Sequence, residues 1–200
     1  MRFVAYTPYL HTDRNDFLMY FQMVRLYLLL LLFNANLTQA DNTCHFGINS
    51  LFADNGLSDV HSYLYFPADP AQMTAIVKRV FFERGLRFIF STRSKVPWIL
   101  KEDGKKYFDE NYQFVPGKDE IIAEGKAGYV VSFGEMLYRS WDAVLRCRQE
   151  GLDVGLVNKP SLNVVDEQTI RKIGSSPFVL VVESLNQKTG VCLCFNTDWD

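Results

Sequence analysis

Two short stretches of the sequence hold the side chains best suited to chemistry. In the first, His61 carries an imidazole that could act as a general base near neutral pH. No nucleophile or paired carboxylate stands beside it in the sequence, so a structural histidine is the alternative. In the second, Arg93 follows the predicted strand Leu86–Ser91, at whose carboxyl end it could hold a phosphate through two hydrogen bonds. An exposed loop arginine is the simpler interpretation of that residue.

Other kinds of site find little support in the sequence. Glu135 follows the glycine of a strand-to-helix turn, where an anion could bind, but its negative charge favours a capping role instead. The four cysteines lack the spacing of a zinc site, and no glycine-rich nucleotide motif is present, so we expect no metal centre. A net charge of -2 provides no basic face for nucleic acid. The hydrophobic fraction of 48% is that of an ordinary globular protein.

The elements that would position Arg93 form a β-α-β unit. Residues Ser62–Phe66 are typical of a short strand, and Leu86–Ser91 of a second one. The helix between them has Asp69 as its predicted cap, Gln72 at the capping-box position and Gly85 at its end. A single crossover helix of this kind predicts that the two strands are parallel.

A second α/β unit follows a charged, turn-rich stretch. Residues Lys101–Lys126 are predicted to form a linker with a short helix, its aromatic residues packing along a surface. Beyond it the predicted strands are Tyr129–Phe133, Asp153–Asn158 and Phe178–Glu183, and the predicted helices are Glu135–Gln149 and a shorter one capped by Asp166. Because Phe178–Glu183 is continuously apolar, we expect it to be a central parallel strand. The alternation predicts an α/β sandwich.

The first fifty residues follow a different pattern. Leu26–Phe33 is almost pure leucine, and its length is about half of a membrane span. One interpretation is a secretory signal or a membrane anchor through residues 17–33, with Arg25 as the preceding charge. A buried core helix is a second interpretation. The third, which we favour, is that residues 1–50 are not native to the domain that follows, because they show no clear capping, no periodicity and no matching partner pattern; a misread gene boundary would produce this.

The two α/β units resemble the transketolase and phosphoketolase family. In the first unit the resemblance lies in Tyr65-Phe66-Pro67-Ala68-Asp69-Pro70 and in Phe90-Ser91-Thr92-Arg93-Ser94-Lys95-Val96-Pro97-Trp98. In the second it lies in Tyr129-Val130-Val131-Ser132-Phe133-Gly134-Glu135, in Val154–Leu162 and in Val181-Val182-Glu183. The resemblance implies an α/β fold, in which a partial parallel-sheet remnant of the pyrimidine-binding domain (51–100) and a linker (101–127) precede a C-terminal-like α/β/α sandwich (128–200).

The resemblance also implies an activity and a site. The family transfers two-carbon ketol units between sugar phosphates with thiamine diphosphate and a divalent metal such as magnesium. Arg93 is similar to the family's substrate-phosphate arginine, and Asn55, Gly56 and Ser58 are similar to part of its active-site loop. That loop is shortened here and lacks the family's histidines, which His61 does not clearly replace. The catalytic residues therefore stay unassigned, with His61 as a weak candidate.

Several family features have no counterpart in the sequence. The Gly-Asp-Gly signature of the diphosphate- and metal-binding domain is absent, and residues 191–200 do not resemble the family. We therefore expect a fragmentary member that is inactive alone and acts as a homodimer or with a complementing chain on a phosphorylated sugar, in the cytoplasm by resemblance. The alternatives are a non-catalytic α/β interaction module or truncated gene product, and a secreted or membrane-anchored protein.

Overall fold

The computed structural model describes residues 2–6, 27–33, 62–91 and 95–183, and for the first two segments it gives the backbone pairing. The strands are β1 (Arg2–Tyr6), β2 (Tyr27–Phe33), β3 (Ser62–Tyr65), β4 (Gly85–Ser91), β5 (Glu120–Ala123), β6 (Gly128–Ser132), β7 (Val154–Asn158) and β8 (Val179–Val182). The helices are α1 (Pro70–Val80), α2 (Met136–Gln149) and α3 (Glu167–Gly174). Together they form a mixed α/β fold with one parallel sheet and one mixed sheet.

The first sheet has the strand order β1-β2-β4-β3, and every pairing in it is parallel. Strand β4 is central, with Phe88 opposite Leu30 of β2 on one side and opposite Leu64 of β3 on the other. Strands β3 and β4 are joined through α1, which confirms the predicted parallel β-α-β unit. The helix ends at Val80, however, and Gly85 (φ 102°) begins β4, so the prediction that Gly85 ends the helix is wrong.

The leucine-rich segment pairs with the first sheet, although its sequence shows no matching partner pattern. Residues Tyr27–Phe33 pair with the whole of β4 and, on their other side, with β1. A parallel strand that is covered on both faces has a continuous apolar sequence. The same sequence pattern is therefore compatible with a core strand and with half of a membrane span. No helix among the described residues is long and apolar enough to cross a bilayer. Residues 17–26 of the predicted anchor lie outside those residues.

The second sheet has the order β5-β7-β6-β8. Strand β6 is parallel to β7 and to β8, whereas β5 runs antiparallel to β7 with an irregularity between Ile121 and Ala123. The short helix predicted between residues 101 and 126 is therefore wrong, because that stretch contributes β5. The prediction for Phe178–Glu183 also needs correction. Among the described strands β8 pairs only with β6, and Leu180 is 53% exposed. The strand therefore lies at the edge of the described sheet, and its apolar sequence did not distinguish an edge strand from a central one.

The core of the second unit lies between α2 and the sheet. Leu137, Trp141 and Val144 of α2 are buried in one cluster with Val130 of β6 and Leu156 of β7. The cluster extends to Phe108 and Ile99 from the charged stretch, which is therefore packed against the sheet as its aromatic residues predicted. The indole nitrogen of Trp141 donates a 2.7 Å hydrogen bond to the carbonyl of Leu100. The core thus holds the segment that connects the two sheets.

The two sheets meet where the chain leaving β7 crosses the free side of β3. The amide of Phe66 donates to the carbonyl of Pro160, and the amide of Leu162 donates to the carbonyl of Leu64, both at 2.9 Å. The amide of Leu64 donates to the side-chain oxygen of Asn163, also at 2.9 Å. We call residues 64–66 and 160–163 the sheet junction. It satisfies backbone groups on the side of β3 that β4 does not use.

Replacing Gly125 tests the packing of β5 against β7. An alanine Cβ there would lie 2.0 Å from the backbone nitrogen of Gly155, which cannot move aside as a side chain could. We expect Gly125→Ala to lower the free energy of unfolding by at least about 3 kcal/mol in urea denaturation. The control Gly104→Ala meets no atom within 4 Å and has only its positive φ to strain it, so we expect a loss of about 1–2 kcal/mol. Equal losses in the two variants would contradict the β5–β7 packing.

Candidate functional site

A cavity of about 490 Å³ lies at the carboxyl ends of strands from both sheets. The loop after β3, the end of β4 and the turn from β6 into α2 each contribute to its wall. Its lining residues are Phe66, Pro67, Ala68, Asp69, Pro70, Met73, Phe90, Ser91, Lys95, Val96, Trp98, Gly134 and Glu135. In open α/β sheets ligands bind at the carboxyl ends of the strands, so this cavity is the candidate site.

Two buried aromatic rings line the cavity, those of Phe66 and Phe90, and a third, that of Phe133, packs against Phe66. Phe66 stacks on Phe90 with ring centroids 4.1 Å apart, and Phe133 meets Phe66 edge-on at 5.2 Å. Gly134, which follows Phe133, has a φ of 55°, and a Cβ there would lie 3.7 Å from Phe66. Two rings of the stack come from the first sheet's strands and loops and one comes from the second unit. The stack therefore fixes the position of one wall relative to the other.

Asp69 is a buried carboxylate whose oxygens are already used. One oxygen accepts hydrogen bonds from the amides of Ala71 and Gln72, which confirms its predicted role as the cap of α1. The other oxygen accepts a 3.0 Å bond from the amide of Ile99. Burial raises the pKa of Asp69 above its ordinary value, although the three amides oppose that rise. Asp69 therefore ties α1 to the segment that carries Lys95 and Trp98, and positions the cavity wall.

One basic side chain lines the cavity, and a second lies over the ring of a lining tryptophan. Lys95 is exposed, and the Nζ of Lys106 lies 3.7 Å from the ring centroid of Trp98, which is itself 43% exposed. A lysine over an indole face is held by the negative potential of the ring. The rim therefore favours an anionic ligand group entering from solvent.

Glu135 lies on the opposite side of the cavity and is not a side-chain cap. It occupies the position before α2, but its side chain makes no cap hydrogen bond. The capping role predicted for it is wrong for a geometric reason. Its backbone is already helical (φ −63°, ψ −16°), whereas a capping side chain needs an extended backbone to reach the amides of the first turn. Asp166, the predicted cap of α3, likewise makes no cap bond and accepts instead from Lys118, Thr169 and the amide of Asp119.

Behind the cavity wall lies a cluster of polar side chains that sequence reasoning missed, which we call the polar cluster (Gln72, Tyr112, Glu120 and Asn158). Gln72 and Asn158 donate to one oxygen of Glu120 at 2.9 and 2.8 Å, and Tyr112 donates to the other. Gln72 also accepts a 2.8 Å bond from the amide of Ala68 in the cavity wall. Burial raises the pKa of Glu120 to about 7, although the three donors oppose that rise.

A buried ion pair lies next to the polar cluster. The Nζ of Lys159 is 3.3 Å from a carboxylate oxygen of Asp119 and donates a 2.7 Å bond to the carbonyl of Val164. Both side chains are at most 2% exposed. Burial raises the pKa of Asp119 to about 6, with Lys159 opposing the rise. The signal in the sequence was the polar pair Asn158-Lys159 at the end of a wholly apolar strand.

The structure brings only part of the predicted site together. Ser91, at the end of β4, lines the cavity as expected for the end of a parallel strand. Arg93 and His61 lie outside the described residues, as do Asn55, Gly56 and Ser58, so their predicted roles stay predictions. Within residues 62–91 and 95–183 there is no group of three His, Cys, Asp or Glu side chains that could hold a metal ion.

Comparisons with known proteins agree with the resemblance seen in the sequence. Residues 117–193 match the family model described as transketolase, C-terminal domain. An uncharacterized transketolase family protein of Sinorhizobium fredii is 28% identical over 104 residues, which cover 52% of this chain and 28% of the relative. One subunit of the apulose-4-phosphate transketolase of Actinobacillus succinogenes is 29% identical over 99 residues, or 48% of this chain and 32% of the relative. The chain thus matches about a third of each relative's length.

Solved structures show the same fold. A split-gene transketolase described as an inactive beta4 tetramer superposes with a TM-score of 0.69 at 22% identity, covering 88% of this chain and 56% of that one. Transketolase from Campylobacter jejuni gives a TM-score of 0.67 at 13% identity, covering 92% of this chain and 28% of that one. These shares exceed the three quarters of the chain that residues 51–200 make up.

The mixed sheet with its helices and the cavity at the strand ends define an α/β protein of the transketolase C-terminal fold. The chain carries a transketolase C-terminal domain, matched over residues 117–193, and the family resemblance predicted from the sequence is confirmed.

Asp69 offers a direct test of how the cavity wall is held. We expect Asp69→Ala to lower the free energy of unfolding by about 2–4 kcal/mol, because three backbone amides lose their acceptor. Asp69→Asn keeps one acceptor oxygen, so it should lose less. Urea denaturation gives both values. As a control, Asp109 is an exposed carboxylate that accepts one amide, from Asn111, and Asp109→Ala should lose less than about 1 kcal/mol. A loss at Asp69 no larger than that of the control would show that the wall is held elsewhere.

Proposed function

We propose that this chain supplies one wall of a transketolase active site and works with a second polypeptide region that holds the cofactor. The reaction would be the transfer of a two-carbon ketol unit between sugar phosphates, and the location cytoplasmic, as in the family. The carrying observation is the cavity of about 490 Å³ at the carboxyl ends of strands from both sheets, with aromatic rings on its floor and lysines on its rim. An aromatic floor suits a flat ring system, and a basic rim suits a phosphate.

The relatives support a division of the enzyme between chains. One relative is described as a single subunit of an apulose-4-phosphate transketolase, and a structural neighbour is described as a split-gene transketolase. This chain matches 32% of the length of that relative and 56% of the neighbour's. The proposed activity therefore belongs to an assembly, in which a homodimer or a complementing chain completes the site.

Thiamine diphosphate is implied by the family, and the described residues fit only part of it. When bound, it supplies the nucleophilic carbon that accepts the ketol unit. The rings of Phe66 and Phe90 offer apolar contact suited to an aromatic ring. The metal-bound diphosphate end has no match, because Asp69 is engaged with three amides and the described residues hold no metal-ligand group. Holding that end is therefore assigned to the complementing region.

Arg93 is the residue of this chain that we assign to the sugar phosphate. It follows Ser91, which lines the cavity, and it precedes Lys95 on the rim. An arginine can meet a phosphate with two parallel hydrogen bonds, whereas a lysine acts as a point charge. The segment on its far side is tied to α1 through the bond between Ile99 and Asp69. We assign no catalytic role to His61, which directly precedes β3.

The chain by itself should show no ketol transfer. The expected result for the purified chain with xylulose 5-phosphate, an aldose phosphate, thiamine diphosphate and magnesium is no product above the enzyme-free rate. Adding a polypeptide that carries a transketolase diphosphate-binding domain should produce turnover. The matched control is that polypeptide alone. Turnover by the isolated chain would contradict the division of labour, and inactivity of every assembly tested would contradict the proposed function.

In an active assembly, removal of Arg93 should weaken phosphate binding selectively. We expect Arg93→Ala to raise the KM for phosphorylated sugars about 10- to 150-fold, which corresponds to a loss of about 1.5–3 kcal/mol for a hydrogen bond to a charged group. Turnover of an unphosphorylated ketose should change little. Arg93→Lys should recover only part of the loss. Arg171→Ala, an exposed arginine on α3, is the control. Unchanged KM values in Arg93→Ala would remove Arg93 from the site.

A further inference from the structure

The polar cluster contains a carboxylate whose present hydrogen bonds suit its ionised state. Three donors converge on Glu120, from the side chains of Gln72, Tyr112 and Asn158. Gln72 and Asn158 both donate to the same oxygen, which leaves little room there for a proton. The described arrangement is therefore that of the ionised carboxylate.

A second arrangement of the same side chains is available without moving the backbone. The side-chain oxygen of Asn158 is buried and has no hydrogen-bond partner among the described residues. If the amide of Asn158 turned by half a rotation, that oxygen would face Glu120 and could accept its proton. The same turn would remove the 3.3 Å bond from the Asn158 nitrogen to Gln72. Protonation of Glu120 thus exchanges one set of hydrogen bonds for another.

The polar cluster connects the cavity to the sheet junction. On one side Gln72 accepts from the amide of Ala68, which lies in the cavity wall. On the other side Asn158 ends β7, and the chain runs from it through Lys159 directly into Pro160–Asn163 of the sheet junction. A rearrangement at Glu120 therefore acts on both elements that hold the cavity in place.

We propose that Glu120 is a proton-operated switch between the two sheets. In its ionised form it joins Gln72 and Asn158 and draws the Ala68 segment of the cavity wall towards β7. In its protonated form it donates to the turned Asn158 amide, the link between Asn158 and Gln72 is lost, and the cavity wall is held less firmly. The proton comes from solvent and returns to it, and no covalent bond changes.

The charges around Glu120 set the pH range in which the switch operates. The titratable groups that interact with Glu120 are Tyr107 and Tyr112 from the preceding segment and Asp119, the residue before β5. Lys159, Lys118 and Asp166 lie around Asp119. Burial raises the pKa of Glu120 to about 7 from an ordinary 4.5, and the charge of Asp119 adds to the rise. Lys159 pairs with Asp119 and so reduces that repulsion. The switch therefore operates near neutral pH.

The sign of the stability change follows from the raised pKa. Between the ordinary value of 4.5 and about 7, the folded protein keeps the Glu120 proton that the unfolded chain has released. The free energy of unfolding should therefore fall as the pH rises through this range and level off above it. Asp119, with its pKa raised to about 6, acts in the same direction at lower pH. Because the titrations of Asp119 and Glu120 overlap between about pH 6 and 7, a neutral substitution at Glu120 is needed to separate their contributions.

An NMR titration of the full chain tests the proposal. The 13C signal of the Glu120 carboxyl should titrate with a midpoint between about pH 6 and 8, and each pH unit should change its protonated-to-ionised ratio about tenfold. The amide of Ala68 and the side-chain NH2 of Asn158 should shift with the same midpoint. A Glu120 midpoint near 4.5 would overturn the switch, and so would a titration that leaves Ala68 and Asn158 unaffected.

A neutral substitution separates Glu120 from its neighbours. Glu120→Gln keeps the size of the side chain and removes its charge, so the Ala68 shift with a midpoint near pH 7 should disappear, and the stability change between about pH 6 and 7.5 should shrink to the part contributed by Asp119. Glu110→Gln, at an exposed carboxyl of the same connecting segment, should leave both unchanged. Persistence of the Ala68 titration in Glu120→Gln would overturn the proposal. If that variant does not fold, the wild-type titration still decides, and neither measurement requires an active assembly.

Discussion

The contact of the chain after β7 with the free side of β3 is the constraint on which the rest of the structure depends. Three hydrogen bonds of 2.9 Å join residues 64–66 to residues 160–163. They place the carboxyl end of β3 beside the carboxyl end of β6, and only in that arrangement can Phe66 stack between Phe90 and Phe133. The cavity is a consequence of this arrangement, because neither sheet has enough wall to enclose it alone.

Buried polar groups behind the junction make the arrangement specific. A buried ion pair such as that of Lys159 and Asp119 adds little net stability, since the loss of hydration offsets most of the attraction. A misplaced junction, however, would separate the charges or orphan the donors around Glu120, at several kcal/mol each. Apolar packing tolerates small displacements, whereas hydrogen bonds of fixed length do not. The polar groups therefore select one relative position of the two sheets.

The sequence predicted the elements well where their patterns were local. The strands around residues 62–66, 86–91 and 129–133 and the helix beginning near Glu135 lie within a residue or two of their predicted bounds, and the helix at Pro70 begins where predicted. Two predictions failed because burial is not a local property. The leucine run of β2 reads alike as core strand, helix or membrane segment, and β5 is too short and too charged to show a period. The polar cluster could not be predicted, because its members lie up to 86 residues apart.

The sheet junction also covers the side of β3 that β4 leaves open. A strand with an open side offers a row of backbone donors and acceptors to any extended segment, and natural proteins cover such rows to avoid uncontrolled association. Here Pro160–Asn163 lies along β3 as an internal cover, antiparallel at Tyr65 and Ser161. The residue after this cover, Val164, accepts a hydrogen bond from Lys159 through its carbonyl. Because Lys159 also pairs with Asp119, the attachment of the cover and the buried ion pair are linked. If residues 160–163 detached from β3, the backbone groups of β3 would be exposed, and an extended segment of a second molecule could pair with them.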